Sequence, residues 1–309
     1  MKYNQLGKTG LKVSALSYGA SPLGGVFHSV REDEGVRTVH TAIDLGINYI
    51  DCSPYYGLTK AETLLGKALR GIGRDQYILA TKVGRYGDDE FDFSAKRVTR
   101  SVDESLQRLQ VDHVDIIQCH DIEFGSIDQV VNEGIPALYK LREQGKIRFV
   151  GITGLPLKLF RTVLDQIEVD AILSYCHYAL NDVLLVDWLP YLQQKNVGVI
   201  SASPLSMGLL TDVGPPDWHP APQEICETCA KAAAFCRDKG ANIAKLALQY
   251  ALQCDEIHTT LVGTARVENI ERNVEWMNEP LDEELLQEVL AILKPIHNQT
   301  WPSGREENN

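Results

Sequence analysis

The stretch INYIDCSPYYG, residues 47–57, opens with an apolar, β-prone run and closes in a turn. The join carries one acid, Asp51, and two phenols, Tyr55 and Tyr56. A carboxylate at a strand's end, with a phenol five residues on, is the arrangement in which barrel enzymes place their chemistry. Read alone, the same stretch reads first as a strand running into a polar loop, with Asp51 capping and the tyrosines packing. The flanking chain decides between the two. Asp33 to Leu45 before it has helical spacing, with Val36, Val39, His40 and Ile43 on one face and Gly46 as a stop. Ala61 to Leu69 after it is helical again, and Tyr77–Thr81 is a second apolar strand that delivers Lys82.

The alternation continues to both ends. Tyr3–Leu6 and Leu11–Val13 flank a Gly-Lys-Thr-Gly turn and read as a small hairpin. Strands are expected near residues 16, 47, 77, 114, 147, 171, 197 and 258, each followed by a helical segment. Ser94 caps the helix to Leu109, and Pro136 interrupts the segment Ile127–Gln144. Val183–Lys195 reads as one helix, and the tail from Pro295 to Asn309 lacks periodicity. Eight strand–helix units suit a closed (β/α)₈ TIM barrel with an N-terminal hairpin and a C-terminal extra helix and loop, forming a single domain over residues 1–309. The competing architecture is an open doubly wound sheet. Against it, no GxGxxG follows the first strand and no P-loop occurs.

The chain has 309 residues with a formal net charge of -12, which argues against nucleic acid or an anionic membrane as partner. No apolar run approaches the roughly 20 residues needed to span a bilayer. Seven cysteines, an odd number, in a long chain without an export signal point to reduced thiols and a cytoplasmic setting. Cys226 and Cys229 form a CxxC, but no second pair follows at zinc-finger spacing, so no metal is expected.

In a barrel, the strands' C-terminal ends share one rim. Asp51, Lys82 and His120 each fall just past an apolar run, and Tyr56 lies in the loop after Asp51. A phenol is a poor base at neutral pH; a neighbouring ammonium favours the phenolate, and a carboxylate holds that ammonium in place. Tyr, Lys and Asp make a proton relay, and a histidine can hydrogen-bond the substrate oxygen while a hydride moves elsewhere.

These residues, in the motifs from Asp51 to Gly57, Thr81-Lys82, Asp115 to His120, Ser203-Pro204-Leu205 with Gly208, and Gly263 to Asn273, resemble the aldo-keto reductases from the hairpin to about residue 293. The resemblance implies that Asp51, Tyr56, Lys82 and His120 are catalytic and that a nicotinamide dinucleotide lies across the barrel mouth. It implies cofactor contacts from Thr153, Ser174, Tyr175, Ser203, Leu205, Gly208, Gly263, Thr264, Asn269 and Asn273. Three positions depart from the family pattern. Thr153-Gly154 stands for the usual Ser-Asn, Ser174-Tyr175 for Asn-Gln, and Ala202 for an aromatic. Gly263 and Asn269 occupy positions where NADP-preferring members carry cations, so NAD is the expected cofactor, with Arg266 and Arg272 nearby.

Further segments, among them those around Glu123, His177, Trp218 and Trp301, are similar to members that oxidise C1 of a free aldose, such as L-galactose or L-fucose, to the lactone. Asp121, Glu123, His177, Tyr178, Trp218 and Trp301 are the expected sugar contacts, with the tail after Leu293 as a covering loop. The expected partner is a small sugar, and the expected assembly a monomer or weak homodimer. Two other readings stand beside this one: an NADPH-dependent carbonyl reductase of the same fold, and a nicotinamide-sensing regulatory subunit.

Overall fold

A computed structural model describes residues 1–26 and 28–309. The hairpin strands are β1 (Tyr3–Gln5) and β2 (Lys12–Ser14), which pair antiparallel. Eight parallel strands follow: β3 (Leu16–Gly19), β4 (Tyr49–Asp51), β5 (Ile78–Val83), β6 (Val114–Cys119), β7 (Ile147–Gly154), β8 (Ala171–Tyr175), β9 (Gly198–Ala202) and β10 (Thr259–Gly263). They close a barrel in chain order, with β10 paired to β3. This is the (β/α)₈ architecture expected.

The barrel closes because its strands are apolar on both faces. Ile50, Leu79, Ile117, Val150, Ile152 and Val199 pack outward under the helices. Tyr49, Ala80, Ile116, Leu173 and Ile200 fill the interior. The hairpin plugs the lower end, where Leu6, Leu11 and Val13 join the interior cluster. Leu6 fits only because residue 198 is glycine: a Cβ there would lie 2.6 Å from Leu6 Cγ. Asn48, expected within a strand, instead serves the hairpin. It accepts from Ser14 N–H at 2.7 Å and donates to Lys12 O at 2.8 Å, which shortens β4 to three residues.

The helices follow the expected alternation with local corrections. Ser94 does cap its helix, accepting from Arg97 N–H. Helix Glu32–Asp44 buries Val39 as expected, but with Gly35, Thr38 and Ala42 beside it rather than Val36, His40 and Ile43. His40 lies on the exposed side, and Val36 and Ile43 are half-buried. Small residues win that face because the next helix comes close: a Cβ on Gly35 would lie 2.8 Å from Leu64 Cδ2. Before Pro136 the chain makes a π-turn, Val130–Gly134, and the regular helix restarts at Ile135 with the proline in its first turn, where a missing N–H is harmless. The segment expected as one helix from Val183 begins as a 3₁₀ stretch, Leu184–Trp188, before Leu189–Gln194.

A second core lies under helices Gln223–Asp238, Ile243–Ala251 and Glu283–Leu293. Cys229 and Cys236 are buried in it, and Cys226 packs at its edge. The tail is not the loose loop expected. Ile296 and Trp301 are buried in the second core, and residues 303–309 fold back over the loop after β6. Among the described residues no helix is long and apolar enough to cross a membrane.

Candidate active site

β4, β5 and β6 are neighbours in the sheet, so their C-terminal ends bring Asp51, Lys82 and His120 onto one arc of the rim. The Tyr56 loop is pressed onto the rim from the side. Gly24 and Gly57 touch backbone to backbone, and a Cβ on Gly24 would lie 2.6 Å from Tyr56 O. Side-chain bulk at either glycine displaces the tyrosine.

The buried Lys82 ammonium has three partners. It ion-pairs with Asp51, donates to Cys52 O at 2.8 Å, and donates to the Tyr56 hydroxyl at 3.1 Å. The second Asp51 oxygen accepts from Gln118 Nε2 at 2.7 Å. Gln118, on β6, precedes His120 by two, so both side chains face inward. Burial works against the lysine's charge, yet Asp51 and Tyr56 outweigh it and hold its pKa above the ordinary value. Burial pushes the Tyr56 phenol up to about 12, with Asp51 and Asp121 adding to the rise and Lys82 opposing it. His120 is pushed down to about 3 by burial, with Lys82 and Arg85 reinforcing, so the imidazole is neutral. Its Nδ1 lies 3.0 Å from Ser53 Oγ, which already accepts from Tyr55 N–H. The serine proton is therefore free to go to Nδ1, which leaves Nε2 carrying its hydrogen toward the rim.

The other expected residues divide. Asp121 stands beside the histidine, with Oδ2 3.5 Å from His120 Nε2 and 2.5 Å from Arg85 Nη1. Thr153, expected on the cofactor, gives its one proton to Asp121 Oδ1 at 3.2 Å and accepts Asp121 N–H at 2.8 Å. It holds the aspartate in its left-handed turn, φ 46°. His177 and Tyr178, expected on the sugar, are both engaged inside the protein. The histidine spends both ring nitrogens, on Asp182 and on Leu155 O, each at 2.9 Å, and Tyr178 is buried in a stack with Tyr250. Trp301 is buried and meets His219 edge to face, while Trp218, half-exposed, lies nearly parallel to that histidine.

Glu123 is wholly buried. Its Oε1 accepts from Leu155 N–H, the Tyr175 hydroxyl and the Ser303 hydroxyl at 3.0–3.1 Å. Burial and the nearby Asp121 raise its pKa to about 7. Arg305 N–H and Asn308 Nδ2 bind the Glu123 carbonyl. Removing residues 303–309 therefore strips this loop of its cover but leaves Ile296 and Trp301 in the core. The expected result is a rise in substrate KM of about tenfold, the cost of one or two buried hydrogen bonds, with dinucleotide affinity unchanged in a fluorescence titration. Equal loss of both is the outcome against it.

The structure fits a dinucleotide across the mouth. Ser174 Oγ, at the end of β8, is buried without a partner and aimed at no protein group. The loop after β9 turns through left-handed backbone at Ser203, Ser206 and Met207 before Gly208, φ 107°. Leu205 packs at the edge of the second core. Thr264 Oγ1 accepts from Arg266 N–H and Asn269 Nδ2 at the head of helix Val267–Asn278 and fixes a free helix N-terminus, a natural phosphate seat. Gly263 is exposed beside the Pro22 ring, and Asn273 is buried.

Gln118 and Arg85 are among the residues of the site not singled out from the sequence. Gln118 was legible from its i, i+2 spacing to His120. Arg85 was not, because its place depends on Gly84, φ 98°, reversing the chain after β5.

The Aldo/keto reductase family model matches residues 15–294. L-galactose dehydrogenase of Arabidopsis thaliana is 58% identical over 98% of this chain and 98% of its own length. D-threo-aldose 1-dehydrogenase of a Pseudomonas species is 28% identical over 86% and 90%. A solved aldo-keto reductase from Bacillus halodurans, in its holo form, superposes with a TM-score of 0.80 at 28% identity, covering 100% of this chain and 99% of that one.

Proposed function

The chain belongs to the aldo/keto reductase family, and from that premise we propose that it is an NAD-dependent dehydrogenase oxidising C1 of L-galactose to the lactone. The observation that carries the reading is the 58% identity to L-galactose dehydrogenase along nearly all of both chains. The proposed roles follow from the rim geometry. The anomeric hydroxyl gives its proton to Tyr56 as phenolate, and His120 Nε2–H holds the same oxygen. Lys82 favours the phenolate, and Asp51 with Gln118 fixes Lys82. A bound nicotinamide supplies the acceptor for the hydride leaving C1. Ser174, the turn at Ser203–Gly208 and the helix head at Thr264 are the residues that hold the dinucleotide.

A screen of NADH production across L-galactose, L-fucose, D-arabinose, D-galactose and L-sorbosone tests the substrate. L-galactose should have the highest kcat/KM; no turnover of any aldose sinks the proposal. NAD preference rests on Gly263 and Asn269, which offer no charge to a 2′-phosphate. Arg266 is exposed at the helix head, and Arg272 lies over the Trp276 ring. Losing two charge-assisted contacts should favour NAD⁺ by roughly 10- to 100-fold in kcat/KM, and a preference for NADP⁺ overturns it.

The direction of pH dependence follows from Tyr56. With its pKa near 12, the phenolate is a minor species at neutral pH. Oxidation needs that minor species, so kcat/KM should climb by up to about tenfold per pH unit between about pH 6 and 9, while the reverse reduction, which uses the phenol, stays flat. Neutral His120 adds no acid limb in that range. A flat oxidative profile would contradict Tyr56 as the base.

A further inference from the structure

One charged pair at the rim is unused by this relay. Arg85 sits three residues past Lys82, where the reversed chain forms a small antiparallel bridge between Arg85 and Phe91. Its guanidinium carbon lies 3.8 Å from the Tyr55 ring centre and 5.0 Å from that of Phe124. It grips Asp121 with one nitrogen, and its Nε is buried with no partner. Asp121 in turn is pinned by Thr153, so neither member is a flexible surface charge. The side chains are 16% and 10% exposed, and Asp121 Oδ2 lies 3.5 Å from His120 Nε2.

A sugar oxygen bound to His120 Nε2 has two neighbours across the reacting carbon. One is the ring oxygen, which only accepts hydrogen bonds. The other is the hydroxyl at C2, which donates. A carboxylate only accepts, so the side of the site occupied by Asp121 suits the donor and repels the ring oxygen. We propose that Arg85 and Asp121 form a specificity device that requires a hydroxyl vicinal to the reacting carbon: Asp121 accepts from the C2 hydroxyl, and Arg85 holds the carboxylate and donates to the sugar. This rests on the aldose reading above and adds the orientation of the ring, C2 toward β6 and β7, with the ring oxygen turned away from Asp121. An analogue without that hydroxyl removes a donor from a charged acceptor already taken out of water, a loss that Arg85 and Thr153 offset only in part.

The experiment compares L-galactose, or the best aldose of the screen, with its 2-deoxy analogue in the wild-type chain, Asp121→Ala and Arg85→Met. NADH titration confirms that each variant is folded. A site built around a substrate hydroxyl can reject the analogue by up to about 10⁴-fold, so wild type should prefer the parent sugar by at least about 100-fold in kcat/KM. In both variants the ratio should fall below about tenfold, through a raised KM for the parent sugar more than a lowered kcat. A wild-type ratio within threefold overturns the inference without need of any variant, and so do folded variants that keep the wild-type ratio. If an aldose is oxidised without discrimination, this inference alone fails. If no aldose is oxidised, the functional reading fails and takes the inference with it.

Discussion

Tyr56→Phe should lower kcat/KM for sugar oxidation by about 10³-fold or more, the upper range for losing a positioned acid–base group. The substitution removes one oxygen and little else. Lys82 keeps Asp51 and Cys52 O as partners, so no buried charge is stranded. The ring still packs edge-on against His120, with centroids 5.6 Å apart. NADH titration and thermal unfolding should accordingly match wild type, with the loss confined to turnover. Activity within tenfold of wild type would remove Tyr56 from the mechanism.

Lys82→Met should be inactive and also unstable. Both partners of the ion pair are 1% exposed. Removing one strands the other, which costs about 3–5 kcal/mol. Only the Gln118 hydrogen bond would then oppose the upward push of burial on the Asp51 carboxyl. A folded-state pKa raised above the unfolded value means stability that is present at low pH and lost as pH rises, so the variant should fare best in acid. Adding Asp51→Asn removes the stranded charge and keeps an acceptor for Gln118. The double variant should regain most of the stability, measured by urea unfolding, and none of the activity. Recovery of activity with the charges gone would show that the ammonium only fills space.

The strands were legible because a parallel barrel buries both strand faces, so each strand reads as a continuous apolar run with its polar residue at the end. That is why Asp51, Lys82 and His120 could be placed before any coordinates. What the sequence did not show lies where the chain reverses. His177 and Tyr178 follow β8 as polar-looking rim residues, but Cys176, φ 64°, turns them into the protein. The tail has no periodicity because its anchors are backbone carbonyls of Glu123 and Gly125, some 180 residues earlier, and such acceptors carry no residue code. Thr153 matched a cofactor position, yet its hydroxyl went to Asp121, a partner that only the left-handed turn brings within reach.

The barrel's seam bears on how the chain is made. Ser17 and Thr259, 242 residues apart, share a hydroxyl–hydroxyl hydrogen bond where β3 meets β10. At the usual ~5–20 residues per second, ribosomal synthesis leaves the first strand without its second neighbour for roughly 10–50 s. A long apolar strand with an open edge would invite mispairing during that wait. β3 has four residues and β4 three, so the nascent edge offers a short template, and the brevity that makes these strands weak alone protects the unfinished barrel from aggregation.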